Sequence, residues 1–289
     1  MLPKNFYKDV EKVGTLKHIL YGDTDSLFIA VPGNVKEMNI DEKWELAEKT
    51  AEGINKLIVQ YYTEYLLPRS NISPQHNEIY FKTELAMESA MFLDVKKNYA
   101  YKLICKEGVV IDPPKIKYTG IQVVKSDAAK TTQNLLKALI EGVVLNAEIP
   151  DSEKLNAVMK VVNDYKQQFK ADINSLNFQN IGFPGKWAKR DLFINGMRIY
   201  NHIMGSDVFA PGSSAKLIYC LFRNAPMLKT LGIEQKDLKG ICVPYEYDAE
   251  LLKTRMYEYN IVLDENTQWK KLYTTTVDRV VNLVKRIKK

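Results

Sequence analysis

The chain has 289 residues, 46% hydrophobic and 26% charged, with 41 Lys and Arg against 35 Asp and Glu for a net charge of +6. At roughly 150 residues per domain this length fits about two domains with cores able to fold unaided, and 17 Tyr with 10 Phe exclude a disordered chain. No apolar run approaches the roughly 18–20 residues that span a bilayer and MLPKNFYKDVEK lacks a signal-peptide core, so a soluble cytoplasmic protein with no membrane partner is expected.

Residues 16–31, LKHILYGDTDSLFIAV, set two β-prone runs around Gly-Asp-Thr-Asp and predict a hairpin turning near Gly22–Thr24. After the loop VPGNVKEMN, Trp44, Ala47, Ala51, Ile54, Ile58, Tyr61 and Tyr65 recur at three- and four-residue steps, which predicts a long amphipathic helix. Asn39 and Glu42 offer a capping box at its start, and Pro68 closes it. NEIYFKTELAM, KKNYAYKLICKEG and GVVIDPPKIKYTGIQVV read as consecutive strands, with a break at Pro113-Pro114. Beyond Ser126 the pattern turns helical: AAKTTQNLLKALIEG stops at Gly142 as a C-cap, and the next helix aligns Leu155, Val158, Val162, Tyr165 and Phe169. The last segment puts Val277, Val280, Val281, Val284 and Ile287 on one face. Its basic side chains are expected in solvent, with phosphate contact the weaker reading. A boundary near residue 118 separates a β-rich part from a helix-rich one.

Cys105, Cys220 and Cys242 form no CxxC pair, and His18, His76 and His202 are scattered, so a disulfide scaffold and a zinc site are both excluded. Metal chemistry must therefore run on carboxylates. Asp23 and Asp25, two apart at the hairpin bend, can serve one hard-cation site. Mg2+ takes one or two protein carboxylates and completes its octahedron with water and phosphate. An isolated DxD also occurs in Asx turns and Ca2+ loops, so a calcium-binding protein is a third alternative, but it leaves the Lys-Tyr elements unexplained.

The hexapeptide Tyr21-Gly22-Asp23-Thr24-Asp25-Ser26 resembles the C motif of family B DNA polymerases, a palm hairpin whose aspartates bind the catalytic metals. The resemblance continues in order. Phe81-Lys82-Thr83-Glu84 resembles the segment with a further acidic residue near the palm site, and Lys96-Lys97-Asn98-Tyr99-Ala100 the element touching primer–template DNA. Pro114-Lys115-Ile116-Lys117-Tyr118-Thr119-Gly120 resembles the palm-to-thumb junction. AKTTQNLLKALIEG, Gly182-Phe183-Pro184-Gly185, Gly196, Tyr200-Asn201 and LIYCLFRNAP most resemble the thumb of T-even-type phage polymerases.

The resemblance implies an α+β chain: the C-terminal part of a palm domain at 1–117 (hairpin and antiparallel strands with a packed helix), then a mainly helical thumb at 118–289. It implies Asp23 and Asp25 as catalytic metal ligands, Glu84 as a third ligand, and Lys96, Lys97, Tyr99 and Lys117 as DNA contacts. The implied reaction adds a dNTP to a primer 3′ end with two Mg2+ ions, in host cytoplasm if the chain is phage-encoded. An exonuclease domain, a first palm motif and a fingers helix are not recognisable. An N-terminal partner chain is therefore expected to supply them and complete the metal site, with no incorporation by this chain alone. The Lys-Arg-Ile-Lys-Lys tip lacks an aromatic clamp peptide, which puts a sliding clamp in doubt. The alternative function is a non-catalytic module that grips duplex DNA with a palm and thumb.

Overall fold

The computed structural model describes residues 19–23, 26–31, 35, 37–70, 73, 75, 80–188, 191–223, 226–274 and 276–287. Helices and antiparallel sheets both occur, as the α+β reading requires. The chain divides into two compact units, one of Met1–Phe92 with Tyr101–Lys117, the other of Leu93–Ala100 with Tyr118–Lys289.

In the first unit, β1 (Ile19–Asp23) and β2 (Ser26–Ile29) pair antiparallel, with Tyr21 opposite Phe28, Gly22 opposite Leu27 and Asp23 opposite Ser26. The helix α1 (Ile40–Tyr61) starts at the expected capping box. The Glu42 amide donates to Asn39 Oδ1 at 2.9 Å, and the Asn39 amide donates to Glu42 Oε2 at 2.8 Å. Pro68 does not close the helix: a widened turn, Tyr62–Leu66, leads into a last helical turn, Leu67–Ser70, that contains it. The widening falls where a proline ring would meet the carbonyl four residues back in a regular helix.

The strands β3 (Leu85–Phe92), β4 (Tyr99–Lys106) and β5 (Val109–Thr119) form a sheet in that order. Pro113-Pro114 is no break: β5 runs through it as the edge strand of the described sheet, the position where proline is tolerated. Among the described residues Ala86, Ile104 and Cys105 are buried with Ile40 and Trp44 against them, Leu67, Met91 and Leu103 are buried as well, and α1 itself has no buried residue.

The second unit holds the larger core. Its helices α2 (Lys130–Leu139), α3 (Asp151–Asn174) and α4 (Phe178–Ile181) precede β6 (Phe183–Lys186), α5 (Asp191–Met204) and β7 (Ser214–Phe222). Then come α6 (Met227–Leu231), β8 (Gly240–Val243), α7 (Ala249–Glu258), β9 (Ile261–Leu263), α8 (Glu265–Tyr273) and α9 (Thr276–Ile287). β7 pairs antiparallel with β6, β8 and β9, and Phe178, Ile181, Met197, Leu217 and Ile218 are buried around that sheet.

Val158, Val162 and Phe169 of α3 point inward as the periodicity predicts, and α9 packs on α2 and α3 through buried Val277, Val280, Val281 and Val284. Gly142 is not a C-cap; it sits inside a widened turn, Ile140–Val144, that continues α2. The last segment is two helices, α8 and α9, where the sequence suggests one run. Gln268, 1% exposed, ties α8 inward: its Nε2 donates to the Ile181 carbonyl at 2.5 Å, and its Oε1 accepts from the Tyr219 amide at 2.9 Å.

Candidate functional site

Asp23 is the last residue of β1 and pairs with Ser26; its side chain and all of Asp25 lie outside the described residues. What holds the hairpin is aromatic. Tyr21 stacks on Phe92 with centroids 5.5 Å apart and meets Phe28 edge-on at 5.8 Å. Phe28 in turn packs on Phe92 at 5.4 Å and on Tyr101 at 6.4 Å. Such pairs contribute roughly 0.5–1.5 kcal/mol each beyond the area they bury. The hairpin is therefore fastened to β3 through Tyr21 of the motif that carries its aspartates, and to β3 and β4 through Phe28 just beyond it.

Glu84 is exposed immediately before β3, where its main-chain carbonyl accepts from the Glu107 amide at 2.9 Å. The segment leading to it is anchored by Asn55 of α1. Asn55 Nδ2 donates to the Phe81 carbonyl at 2.5 Å, and the Phe81 amide donates to Asn55 Oδ1 at 2.6 Å. Lys82 pairs with Glu107 at 3.2 Å rather than with Glu84.

Among the described residues no group of three or more His, Cys, Asp or Glu is placed to hold a metal. The donor chemistry of Asp23, Asp25 and Glu84 is all carboxylate oxygen, which fits a hard cation such as Mg2+.

In the second unit Lys96 and Lys97 are exposed in the turn between β3 and β4, and Tyr99, half-buried, opens β4. The turn is tightly built. The Leu93 amide donates to the Asn98 carbonyl at 2.9 Å, the Asn98 amide to the Val95 carbonyl at 3.2 Å, and Asn98 Nδ2 to the Lys96 carbonyl at 2.9 Å. Lys117 is exposed on β5, in the portion that belongs to the first unit. Hence Lys96, Lys97 and Tyr99 are brought together, whereas Lys117 belongs with the hairpin and Glu84 in the other unit.

Three features escape sequence reasoning. Tyr118 donates to Glu141 Oε1 at 2.5 Å, and burial first, then the Glu141 carboxylate, push its phenol well above the usual tyrosine range. Lys216 of β7 is 9% exposed, with its ammonium 5.6 Å from the Tyr245 ring centroid. Burial first, then neighbouring Lys130, lower its pKa. Gly120 is the third, and it bears on Lys97. No helix among the described residues is long and apolar enough to cross a membrane.

Residues 4–183 match the family model for DNA polymerase family B. A comparison with curated proteins finds no match.

Proposed function

Because the chain belongs to DNA polymerase family B, we propose that residues 1–117 are the C-terminal part of a palm and residues 118–289 a thumb of the T-even phage type. A family B DNA polymerase domain makes the chain a nucleotidyltransferase in kind, acting on DNA and dNTPs. The finer reading gives Asp23 and Asp25 the role of metal ligands, with Glu84 as a third carboxylate. Mg2+ held there would supply charge stabilisation for the attacking and leaving oxygens of phosphoryl transfer. The primer 3′ oxygen attacks the α-phosphorus of the dNTP, the bond to the β-phosphate oxygen breaks, and pyrophosphate leaves.

Lys96, Lys97 and Lys117 neutralise backbone phosphate, a contact that is independent of sequence and falls with salt. Tyr99 adds an aromatic face beside Lys96 and Lys97, and Lys216 with Lys130 adds further basic groups in the second unit. Residues 1–289 carry no segment resembling an exonuclease, a first palm motif or a fingers helix. In this reading an N-terminal polymerase chain supplies those parts and completes the two-metal site.

The observation that carries the proposal is the hairpin: YGDTDS spans two paired strands, lies within the matched residues, and is seated by its own Tyr21 on Phe92. Primer extension tests it. The chain alone is expected to bind primer–template without extending it. Combined with an N-terminal family B chain it is expected to extend the primer, and Asp25→Ala is expected to abolish extension while leaving duplex affinity within about twofold. Extension that survives Asp25→Ala, or robust extension by the isolated chain, overturns the catalytic reading and leaves the non-catalytic duplex-binding module.

A further inference from the structure

The turn Leu93–Ala100 presents two lysines, and a residue distant in sequence sets where it sits. Gly120 follows the end of β5 with φ +67°, a left-handed conformation that side chains rarely adopt. A Cβ built on it would fall 2.0 Å from the Lys97 carbonyl oxygen, 3.0 Å from the Lys97 carbonyl carbon and 3.2 Å from Asn98 Cγ. The two nearest atoms are main chain, so they cannot rotate aside. The main chain of Lys97 therefore rests directly against Gly120, and any larger residue must push the turn away.

Lys97 is itself unusual, with φ 58° on a non-glycine residue, a conformation that persists only where its surroundings enforce it. Those surroundings are the Asn98 bonds already described on one side and Gly120 on the other. From the far end of the chain, Arg286 of α9 reaches Asp94 at the start of the turn, 2.9 Å from Oδ2. Both side chains of that pair are well exposed, so it contributes little energy and the turn's position rests on Asn98 and Gly120.

We infer that Gly120 is a positioning residue for Lys97: its missing side chain lets the turn dock so that the lysine is pre-set against the phosphate backbone of bound duplex. The inference rests on the proposed assignment of Lys97 to DNA. Pre-setting matters because a long, mobile lysine otherwise loses side-chain freedom on binding, and a preorganised one loses less.

The test is a double-mutant cycle on the full chain. It reads the affinity for a labelled primer–template duplex against salt, with thermal unfolding of each variant in parallel. Lys97→Ala is expected to flatten the slope of log affinity against log salt by about 0.9, the loss of one phosphate contact. Gly120→Ala is expected to flatten it equally, and the double variant to bind no worse than either single, since a lysine already displaced has nothing more to lose. A general loss of stability would instead leave the slope unchanged and make the two effects multiply.

If Lys97→Ala leaves affinity and slope at wild-type values, the DNA assignment of Lys97 fails. If Lys97→Ala flattens the slope but Gly120→Ala does not, or the two effects multiply in the double, Gly120 is not its positioning residue. Should Gly120→Ala not fold, Asn98→Ala removes the brace at Lys96 without changing charge. A flattened slope then supports a pre-set turn, and a wild-type slope overturns it.

Discussion

Asn55 grips Phe81 by both of that residue's main-chain polar groups, and replacing it separates the two bonds cleanly. Asn55→Ala deletes both, at 2.5 and 2.6 Å. At about 1 kcal/mol for each net hydrogen bond, the first unit should lose about 2 kcal/mol, roughly a 30-fold fall in its folding equilibrium. Asn55→Asp keeps the acceptor for the Phe81 amide but sets a carboxylate oxygen against the Phe81 carbonyl, so near neutral pH it should cost more than alanine. That repulsion raises the folded-state pKa of the new carboxyl above its unfolded value of about 3.9. Between those two values the folded state binds more protons, so the stability of Asn55→Asp rises as pH falls, with the full gain at about pH 4 and below.

Urea unfolding followed by Trp44 fluorescence reads this out, because Trp44 becomes the chain's only tryptophan once Trp187 and Trp269, both in the second unit, are changed to Phe. Equal stability of Asn55→Asp and wild type at neutral pH would refute the reasoning. So would an Asp-to-Ala difference that is the same near pH 7 and near pH 4.5.

Two further outcomes follow from the second unit. Tyr118→Phe should cost about 1 kcal/mol at neutral pH by removing the bond to Glu141. Because the folded-state phenol pKa is raised, its contribution is complete below about pH 10 and is lost above, so wild type should lose more stability than Tyr118→Phe in alkaline urea titrations. Gln268→Leu is nearly isosteric but strands the buried Ile181 carbonyl and Tyr219 amide. Calorimetry should show a loss of about 2–4 kcal/mol, where a surface glutamine would cost nothing measurable.

What the sequence discloses is whatever is local. The hairpin is legible because alternating apolar runs flank turn residues, the capping box because Asn39 and Glu42 stand three apart, and the α3 stripe because its period matches a buried face. Local signals mislead where the environment overrides them. Pro113-Pro114 lies within a strand at the edge of the described sheet, where proline is tolerated, while Pro68 and Gly142 sit in or beside widened turns rather than at helix ends. The groups that fasten distant segments to one another are illegible for a different reason. Asn55 with Phe81, Gly120 with Lys97 and Gln268 with Ile181 are pairs that exist only after the chain has folded, and nothing in a neighbouring residue type announces them.

Periodicity also tells which side of a helix is apolar but not whether anything covers it. The stripes of α3 and α9 meet a real core, and their valines are buried. The equally regular stripe of α1 is not: Trp44, Ala47, Ala51, Ile54, Ile58 and Tyr61 stay half-buried and Tyr65 is exposed, while the hairpin leaves Ile19, Leu20 and Leu27 in solvent. Each Å2 of that face still in water forgoes about 25 cal/mol that burial would give, so a stripe kept regular over six turns argues for a further covering layer. In the proposed reading, strands of an N-terminal polymerase chain would supply that layer.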